Sequence, residues 1–249
     1  MPDFIAFNRK ILPAENAFLS AVSSAALYGK GIFTTVAVHD SIPFQWEKHW
    51  QRLTDNAARI SLNLAGFSEA GTYDLLREII RKNNLQRARA RLTFFDETNS
   101  AVWQKNPPPK TDLLIQTALF RAVAENFRLT VSPFRINTKS PLAGVKSCNY
   151  LENILAFEDA RAKGFDEAIR LNEKDEIAAA CLANIFWKKN DAIYTPSFET
   201  GCLEGTTRSF VMENFAVEER KAGLAELSEA DEIYLTSAGI GIVGGALEK

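Results

Sequence analysis

The feature that most constrains the fold is the change of hydrophobic period along the chain, from two residues to about three and a half and back. FIAFNRKI and GIFTTVAVHDSIPF alternate around turn residues, which predicts two β-hairpins with turns at Asn8–Arg9 and Asp40–Ser41. The next apolar residues, from Trp46 to Leu62 and from Ala70 to Lys82, recur at helical spacing. Strands and helices that occur in blocks of this kind predict an α+β fold.

The rest of the chain carries similar signals. Strands are predicted for ARARLTFF, TDLLIQTALF and FRLTVSPF, and a helix for NYLENILAFEDARAKG, which ends at Gly164. Several short strands are predicted for 165–196, a helix start at GTTRSF, and a last strand at DEIYLTS. We place a domain boundary near residue 120, after a loop that contains Pro107–Pro109. This predicts a smaller α+β domain over 1–120 and a larger one over 121–249.

Composition favours a small-molecule substrate. The 249 residues are 46% hydrophobic, which is enough for a sizeable core, and they carry a formal net charge of -2. No basic face broad enough for nucleic acid or an anionic membrane is expected. No apolar run reaches the length of a bilayer span, and MPDFIAFNRK lacks the order of a signal peptide. We therefore expect a cytoplasmic protein.

Cysteines and histidines are too few for a metal site. The three cysteines, Cys148, Cys181 and Cys202, have no CxxC spacing, which argues against a disulfide framework and a structural zinc site. His39 is predicted in a hairpin turn, and His49 at a surface or capping position of a helix. We expect no metal.

Lys146 is the main candidate for chemistry. A lysine after a glycine and before a helix is by itself most simply a surface lysine. Its neighbours are apolar or small: Leu142, Ala143, Val145, Cys148 and Leu151. Such surroundings favour the neutral amine, which is the form that attacks an aldehyde.

A phosphate site is indicated by GCLEGTTRSFV. Gly205, Thr206 and Thr207 lie where a helix is predicted to begin, and helix N-termini bind anions. An ordinary threonine-capped helix explains the same residues when they are taken alone. Arg52, close to His49 on the first long helix, is either a second anionic anchor or a solvated charge.

Together these segments resemble the fold-type IV pyridoxal 5′-phosphate enzymes, which include branched-chain and D-amino-acid aminotransferases and 4-amino-4-deoxychorismate lyase. The resemblance runs from about Phe7 to Gly241. Six separated motifs carry it in the family order: YGKGIFTT, HWQRL, KSCNYLENILA, LANIFW, YTPSFETGCLEGTTR and DEIYLTSAG.

The resemblance implies a two-domain fold like that of D-amino-acid aminotransferase, with the cofactor in the interdomain cleft, and a homodimer. Lys146 would form the Schiff base, and Tyr150 would bond the phenolic oxygen. The phosphate would be held by Arg52, Thr206, Thr207, Ser237 and Ala238. Tyr28 and Thr35 would line the substrate side.

One position departs from the family pattern. A carboxylate, usually glutamate, lies there five residues before the asparagine of the ANIF-type motif and keeps the pyridine nitrogen protonated. Counting back from Asn184 gives Ala179. A protonated ring is the better electron sink, so its loss is expected to raise the barrier to Cα deprotonation. Glu176 lies on the opposite strand face by alternation and is not expected to substitute.

Three functions follow. The first is amino-group transfer between a small amino acid and a 2-oxo acid. The second is 4-amino-4-deoxychorismate lyase activity, which yields 4-aminobenzoate and pyruvate for the folate pathway. The third is a PLP-binding protein with little catalysis, because of Ala179. The number of transaminases in the family places the first narrowly ahead.

Overall fold

The structure is a computed structural model that describes residues 3–99, 109–120 and 122–248. It divides into two compact units. The first comprises Met1–Arg121 and Val145–Asn149, and the second comprises Ala122–Gly144 and Tyr150–Lys249. The segment that contains Lys146 therefore groups with the first unit, although it follows the start of the second in sequence.

The first unit is built on a six-stranded antiparallel sheet. Its strands are β1 (Phe4–Phe7), β2 (Lys10–Pro13), β3 (Gly31–His39), β4 (Ile42–Pro43), β5 (Ala88–Asp96) and β6 (Thr111–Leu119). Their order across the sheet is β2-β1-β6-β5-β3-β4. Both predicted hairpins are present, β1 with β2 and β3 with β4.

Two amphipathic helices cover one face of this sheet. They are α2 (Trp46–Arg59) and α3 (Glu69–Lys82), and the short α1 (Ser24–Tyr28) precedes β3. The Ser68 hydroxyl caps α3 by accepting from Gly71 N. The apolar stripe of α2 packs on β3, whose residues Ile32, Val36 and Val38 belong to the core, and the stripe of α3 packs on β1 and β6.

The second unit contains an eight-stranded mixed sheet. Its strands are β7 (Asn126–Val131), β8 (Glu167–Leu171), β9 (Ile177–Ala180), β10 (Asn184–Lys189), β11 (Ala192–Pro196), β12 (Val217–Arg220), β13 (Glu232–Ser237) and β14 (Gly241–Leu247). Their order is β12-β11-β10-β13-β14-β7-β8-β9. A core of leucine, isoleucine and tryptophan side chains fills one side.

The helices of the second unit are α4 (Leu151–Ala162), α5 (Thr206–Asn214) and α6 (Leu224–Ser228). Ala156 and Ala160 of α4 pack against Ala168 of β8 and Cys181 in a separate small cluster. Small residues on both sides bring the helix close to the sheet. No helix among the residues described is both long and apolar enough to cross a membrane.

The α+β prediction is confirmed, and the structure adds elements to it. DEIYLTS is not the last strand, because β14 follows it and pairs with it in antiparallel register. The sequence GIVGGAL of β14 is rich in glycine, which weakens any strand signal. The helices α1 and α6 have five residues each, too few for a helical period to be recognised. Residues 107 and 108 of the predicted proline loop lie outside the described part of the chain.

Candidate functional site

Lys146 is fixed through its backbone to the start of β3. Phe33 N donates to Lys146 O at 2.9 Å, and Cys148 N donates to Gly31 O at 2.8 Å. Gly31 leaves room for this approach, since a Cβ there would lie 3.0 Å from Cys148 Sγ. The segment therefore runs beside β3, which fixes where the lysine side chain begins.

The Lys146 amine lies in a positively charged environment. Its Nζ is 4.5 Å from the centroid of the Phe33 ring, and the Arg91 guanidinium carbon lies 3.6 Å from the same centroid. Burial, followed by the charges of Arg52 and Arg91, lowers the pKa of Lys146 well below the ordinary lysine value. The neutral, nucleophilic form of the amine is thus favoured, as its apolar flanks predicted. Among those flanks, however, only Val145 is buried and Leu151 is exposed.

Arg52 is hydrogen-bonded to a threonine, which in turn contacts a histidine. Its Nη2 donates to Thr34 Oγ1 at 2.6 Å, and that hydroxyl lies 2.7 Å from His49 Nδ1. A guanidinium only donates, so the Thr34 oxygen accepts from Arg52. The Thr34 hydroxyl can also donate to His49 Nδ1 when the imidazole is the neutral tautomer with its proton on Nε2.

The environment of His49 agrees with this tautomer. Burial, followed by the charges of Arg52 and Lys146, lowers its pKa well below the usual histidine value. The prediction of a surface or capping histidine is therefore wrong, because the side chain is 1% exposed. A helical period alone does not identify the buried face when a polar residue lies on it. His39 is exposed at its turn, as predicted.

The substrate-side candidates occupy different places. Thr35 pairs with Arg91 across β3 and β5, so both lie on the same face of the sheet as Phe33. Tyr28 is at the end of α1 and is 54% exposed. Arg91 was missed by sequence analysis, because an isolated arginine in an alternating strand looks like an ordinary solvent-facing residue.

The start of α5 has the form of an anion site. Gly205 is the N-cap and makes no side-chain cap hydrogen bond, so the backbone N–H groups of the first turn point to the N-terminal end of the helix. A Cβ on Gly205 would lie 1.9 Å from Asn184 Oδ1, so only glycine fits against that side chain. Thr206 is buried and Thr207 is partly exposed. The predicted GTT site is therefore a glycine-capped rather than a threonine-capped helix.

A second turn of the same unit lies beside Asn184. Thr236 pairs with Asn184 across β13 and β10, and its Oγ1 is buried without a hydrogen-bond partner among the residues described. Ser237 ends β13 and Ala238 begins the β13–β14 turn, where Gly239 N donates to Ser237 Oγ at 3.3 Å. Thr236 and Asn184 were missed as site residues, because the sequence alone does not give the register that pairs them.

Tyr150 and Ala179 belong to the α4 side of the second sheet. Tyr150 is the N-cap residue of α4. Ala179 lies directly opposite Arg170 on β8, on the face where Ala168 packs against α4. Glu176 is committed elsewhere, since its carboxylate accepts from Asn172 Nδ2 at 2.7 Å within the preceding turn.

A buried carboxylate shapes the connection after Ala179. Glu167 accepts from Leu182 N at 2.8 Å and from the backbone N–H groups of Cys181 and Ala168, each at 3.0 Å. Three backbone donors on one carboxylate fix the turn between β9 and β10. The turn connects the strand of Ala179 to the strand of Asn184, and Asn184 packs on the start of α5.

The chain is similar in sequence and in fold to known proteins. The family Amino-transferase class IV matches residues 31–246. A putative branched-chain-amino-acid aminotransferase of Methanocaldococcus jannaschii is 29% identical over 96% of this chain and 85% of its own. An aminodeoxychorismate lyase of Bacillus subtilis is 26% identical over 95% and 83%. The solved branched-chain aminotransferase of Escherichia coli superimposes with a TM-score of 0.90 at 26% identity, covering 99% of this chain and 86% of that one.

The lowered pKa of Lys146 predicts its reactivity toward amine reagents. In cofactor-free protein, acylation of Lys146 should reach its half-maximal rate at a lower pH than acylation of a lysine in a short unstructured peptide, because the neutral amine persists to lower pH. Arg52→Met removes a repelling charge and should move the Lys146 midpoint to higher pH. Mass spectrometry of protein labelled across a pH series measures both midpoints. Arg52→Lys keeps the charge and is the control; an unmoved midpoint in Arg52→Met would contradict the electrostatic cause.

Proposed function

The chain belongs to the class IV aminotransferases, and from that premise we propose that it transfers an amino group between a small amino acid and a 2-oxo acid, with pyridoxal 5′-phosphate attached to Lys146. Enzymes of this family use pyridoxal phosphate. The observation that carries the proposal is the lowered pKa of Lys146 beside Arg52 and Arg91. A lysine of this kind reacts with an aldehyde at neutral pH.

The residues present fit this cofactor. An aldehyde requires a neutral amine, and the lowered pKa of Lys146 favours that form. A phosphate requires cationic and N–H donors. The guanidinium of Arg52 and the glycine-capped start of α5 are donors of both kinds. The buried Thr236 hydroxyl, without a partner among the described residues, adds a donor that a ligand would satisfy.

We assign the following roles on that basis. When bound, the cofactor supplies an aldehyde carbon and a ring that accepts electron density from the substrate. Lys146 removes a proton from Cα of the substrate and delivers a proton to C4′ of the cofactor. Tyr150 bonds the phenolic oxygen, while Tyr28 and Thr35 contact the substrate. The phosphate is bound by Arg52, Thr206, Thr207, Ser237 and Ala238.

Lyase activity on aminodeoxychorismate is the second candidate. The Bacillus subtilis lyase is 26% identical to the chain, close to the 29% of the Methanocaldococcus jannaschii aminotransferase. A lysine that removes the Cα proton serves either reaction, because the two differ in which bond breaks next. Ala179 supports a third reading, a PLP-binding protein with little turnover, since it offers no carboxylate to the ring.

Reductive trapping tests the cofactor, and a substrate panel tests the reaction. Borohydride should fix pyridoxal phosphate to Lys146 in wild-type protein, because reduction makes the lysine attachment permanent, and to no residue in Lys146→Ala. Peptide mapping reads the site. Cofactor label on another lysine would refute the assignment of Lys146.

A substrate panel then separates the three functions. It measures amino-group transfer from amino acids to 2-oxo acids and release of 4-aminobenzoate from aminodeoxychorismate. Lys146→Ala should have no turnover and an unchanged fold.

The phosphate role of Arg52 predicts the affinity for pyridoxal phosphate. Arg52→Ala should raise the dissociation constant about tenfold or more, because a charge-assisted hydrogen bond is lost. Thr34→Val should raise it less, since the guanidinium loses its acceptor but keeps its charge. Thr34→Ser should bind as the wild type does. Titration followed by absorbance measures all three, with Arg59→Ala as the control. Unchanged affinity in Arg52→Ala would make that arginine a surface charge.

We also propose a homodimer in the cytoplasm. All three cysteines are free thiols, which suits a reducing compartment. Phe18, Leu19, Val22 and Leu27 are exposed apolar residues close in sequence in the first unit, and Phe18 is 79% exposed. Apolar surface of this kind favours burial against a second copy.

The dimer proposal predicts the effect of a charge in this surface. Phe18→Asp should shift the protein toward monomer, because a charge would be buried in the interface. Sedimentation velocity at several concentrations measures this, and Glu158→Ala on the exposed side of α4 is the control. Monomeric wild-type protein at all concentrations would refute the dimer.

A further inference from the structure

The α4 side of the second sheet carries an arginine where a cofactor-binding carboxylate is expected. Ala179 and Arg170 are direct cross-strand partners on β9 and β8. Directly opposed side chains in an antiparallel pair point to the same face, with Cβ atoms roughly 5 Å apart. The residue directly opposite the position of the missing carboxylate is therefore an arginine. It lies on the side of the sheet that packs against α4, whose N-cap residue is Tyr150.

Arg170 is buried and held in place. Its side chain is 3% exposed. Its Nε donates to Phe134 O and its Nη2 donates to Arg135 O, each at 3.3 Å, and Nη2 also binds the carboxylate of Glu152. These contacts fix one edge of the guanidinium. The hydrogen bonds to described residues use its Nε and Nη2, so its Nη1 remains as a donor for solvent or for a ligand.

The nature of the donor determines the protonation of its partner. A guanidinium stays charged and only donates hydrogen bonds. A pyridine nitrogen that faces it must be the acceptor and therefore carries no proton. A carboxylate at the same place would have the opposite effect, because it accepts a hydrogen bond from a protonated ring.

Glu152 does not replace the missing carboxylate. Its oxygen accepts from Arg170, and its side chain is 60% exposed on the first turn of α4. The Glu152 carboxylate is the counter-ion of the buried Arg170 guanidinium and is itself exposed to solvent. Arg170, and not Glu152, is thus the neighbour of Ala179 in the sheet.

We propose that Arg170 donates a hydrogen bond to the ring nitrogen of bound pyridoxal phosphate and keeps that nitrogen unprotonated. This inference rests on the proposed function, since it requires the cofactor to bind with its ring nitrogen toward Ala179. The ring is then a weaker electron sink than a pyridinium. Removal of the Cα proton is slower as a consequence, and the chain is suited to substrates whose Cα proton is already acidic.

The wild-type protein gives the direct test. With pyridoxal phosphate labelled with ¹⁵N in the ring, the ¹⁵N chemical shift of the bound cofactor should fall in the range of an unprotonated pyridine. A shift in the pyridinium range overturns the proposal. No substitution is needed for this measurement, so a failure of any variant to fold does not affect it.

Variants then assign the effect to Arg170. Arg170→Ala should move the ¹⁵N signal and raise the dissociation constant of pyridoxal phosphate about tenfold, as expected for a lost hydrogen bond to a charged donor. Arg170→Lys keeps a cationic donor and should retain the unprotonated shift. Ala179→Glu combined with Arg170→Ala should give a pyridinium shift. Arg161→Ala, a surface arginine of α4 with an ion pair to Asp166, is the matched control.

Two outcomes separate this inference from the proposed function. If borohydride fixes no cofactor on Lys146, the proposed function fails and this inference fails with it. If the cofactor is fixed on Lys146 while the wild-type ring is protonated, or while Arg170→Ala leaves the ¹⁵N signal unchanged, only the role of Arg170 is refuted. A ¹⁵N signal that moves in Glu152→Gln and not in Arg170→Ala would assign the ring contact to Glu152 instead.

Discussion

The two backbone hydrogen bonds that join Lys146 and Cys148 to Phe33 and Gly31 are the constraint on which the first unit's site depends. They fix a segment from outside the unit's main stretch of sequence beside β3, which also carries Thr34 and Thr35. The lysine amine is thereby placed in the field of two arginines. A lysine on a free loop would turn toward solvent and keep its proton, so the nucleophile is produced by backbone pairing as much as by its neighbours.

This arrangement concentrates positive charge around Arg52. Burial and the charge of Arg52 lower the pKa values of Lys146 and His49, which favours their neutral forms and reduces the repulsion. His49 Nδ1 can accept a hydrogen bond from the Thr34 hydroxyl only while the imidazole is neutral, and the same hydroxyl oxygen accepts from Arg52. An anion brought to Arg52 meets a preorganised donor, which lowers the cost of binding.

Sequence reasoning identified elements and residues that depend on local pattern. Hairpins, long amphipathic helices and Lys146 were accessible because alternation, helical spacing and apolar flanks are encoded within a few residues. The missed residues depend on pairing between distant segments. Arg91 acquires its role from its position beside Phe33, and Arg170 from the register of β8 with β9. His49 was misplaced because its helix buries a polar side chain that only the tertiary hydrogen bond to Thr34 explains.

Ala179 and Arg170 are best understood as one feature. A glutamate at 179 would lie opposite a buried guanidinium, and the two side chains would pair with each other at roughly the distance of cross-strand neighbours. The carboxylate would then be held by arginine and would be a poor acceptor for a ring proton. Conversely, a short aliphatic residue at 179 leaves the guanidinium accessible from the α4 side, with Glu152 as its counter-charge. The alanine is therefore not simply the loss of a catalytic group; it is the residue that is compatible with Arg170 as the polar group of that face.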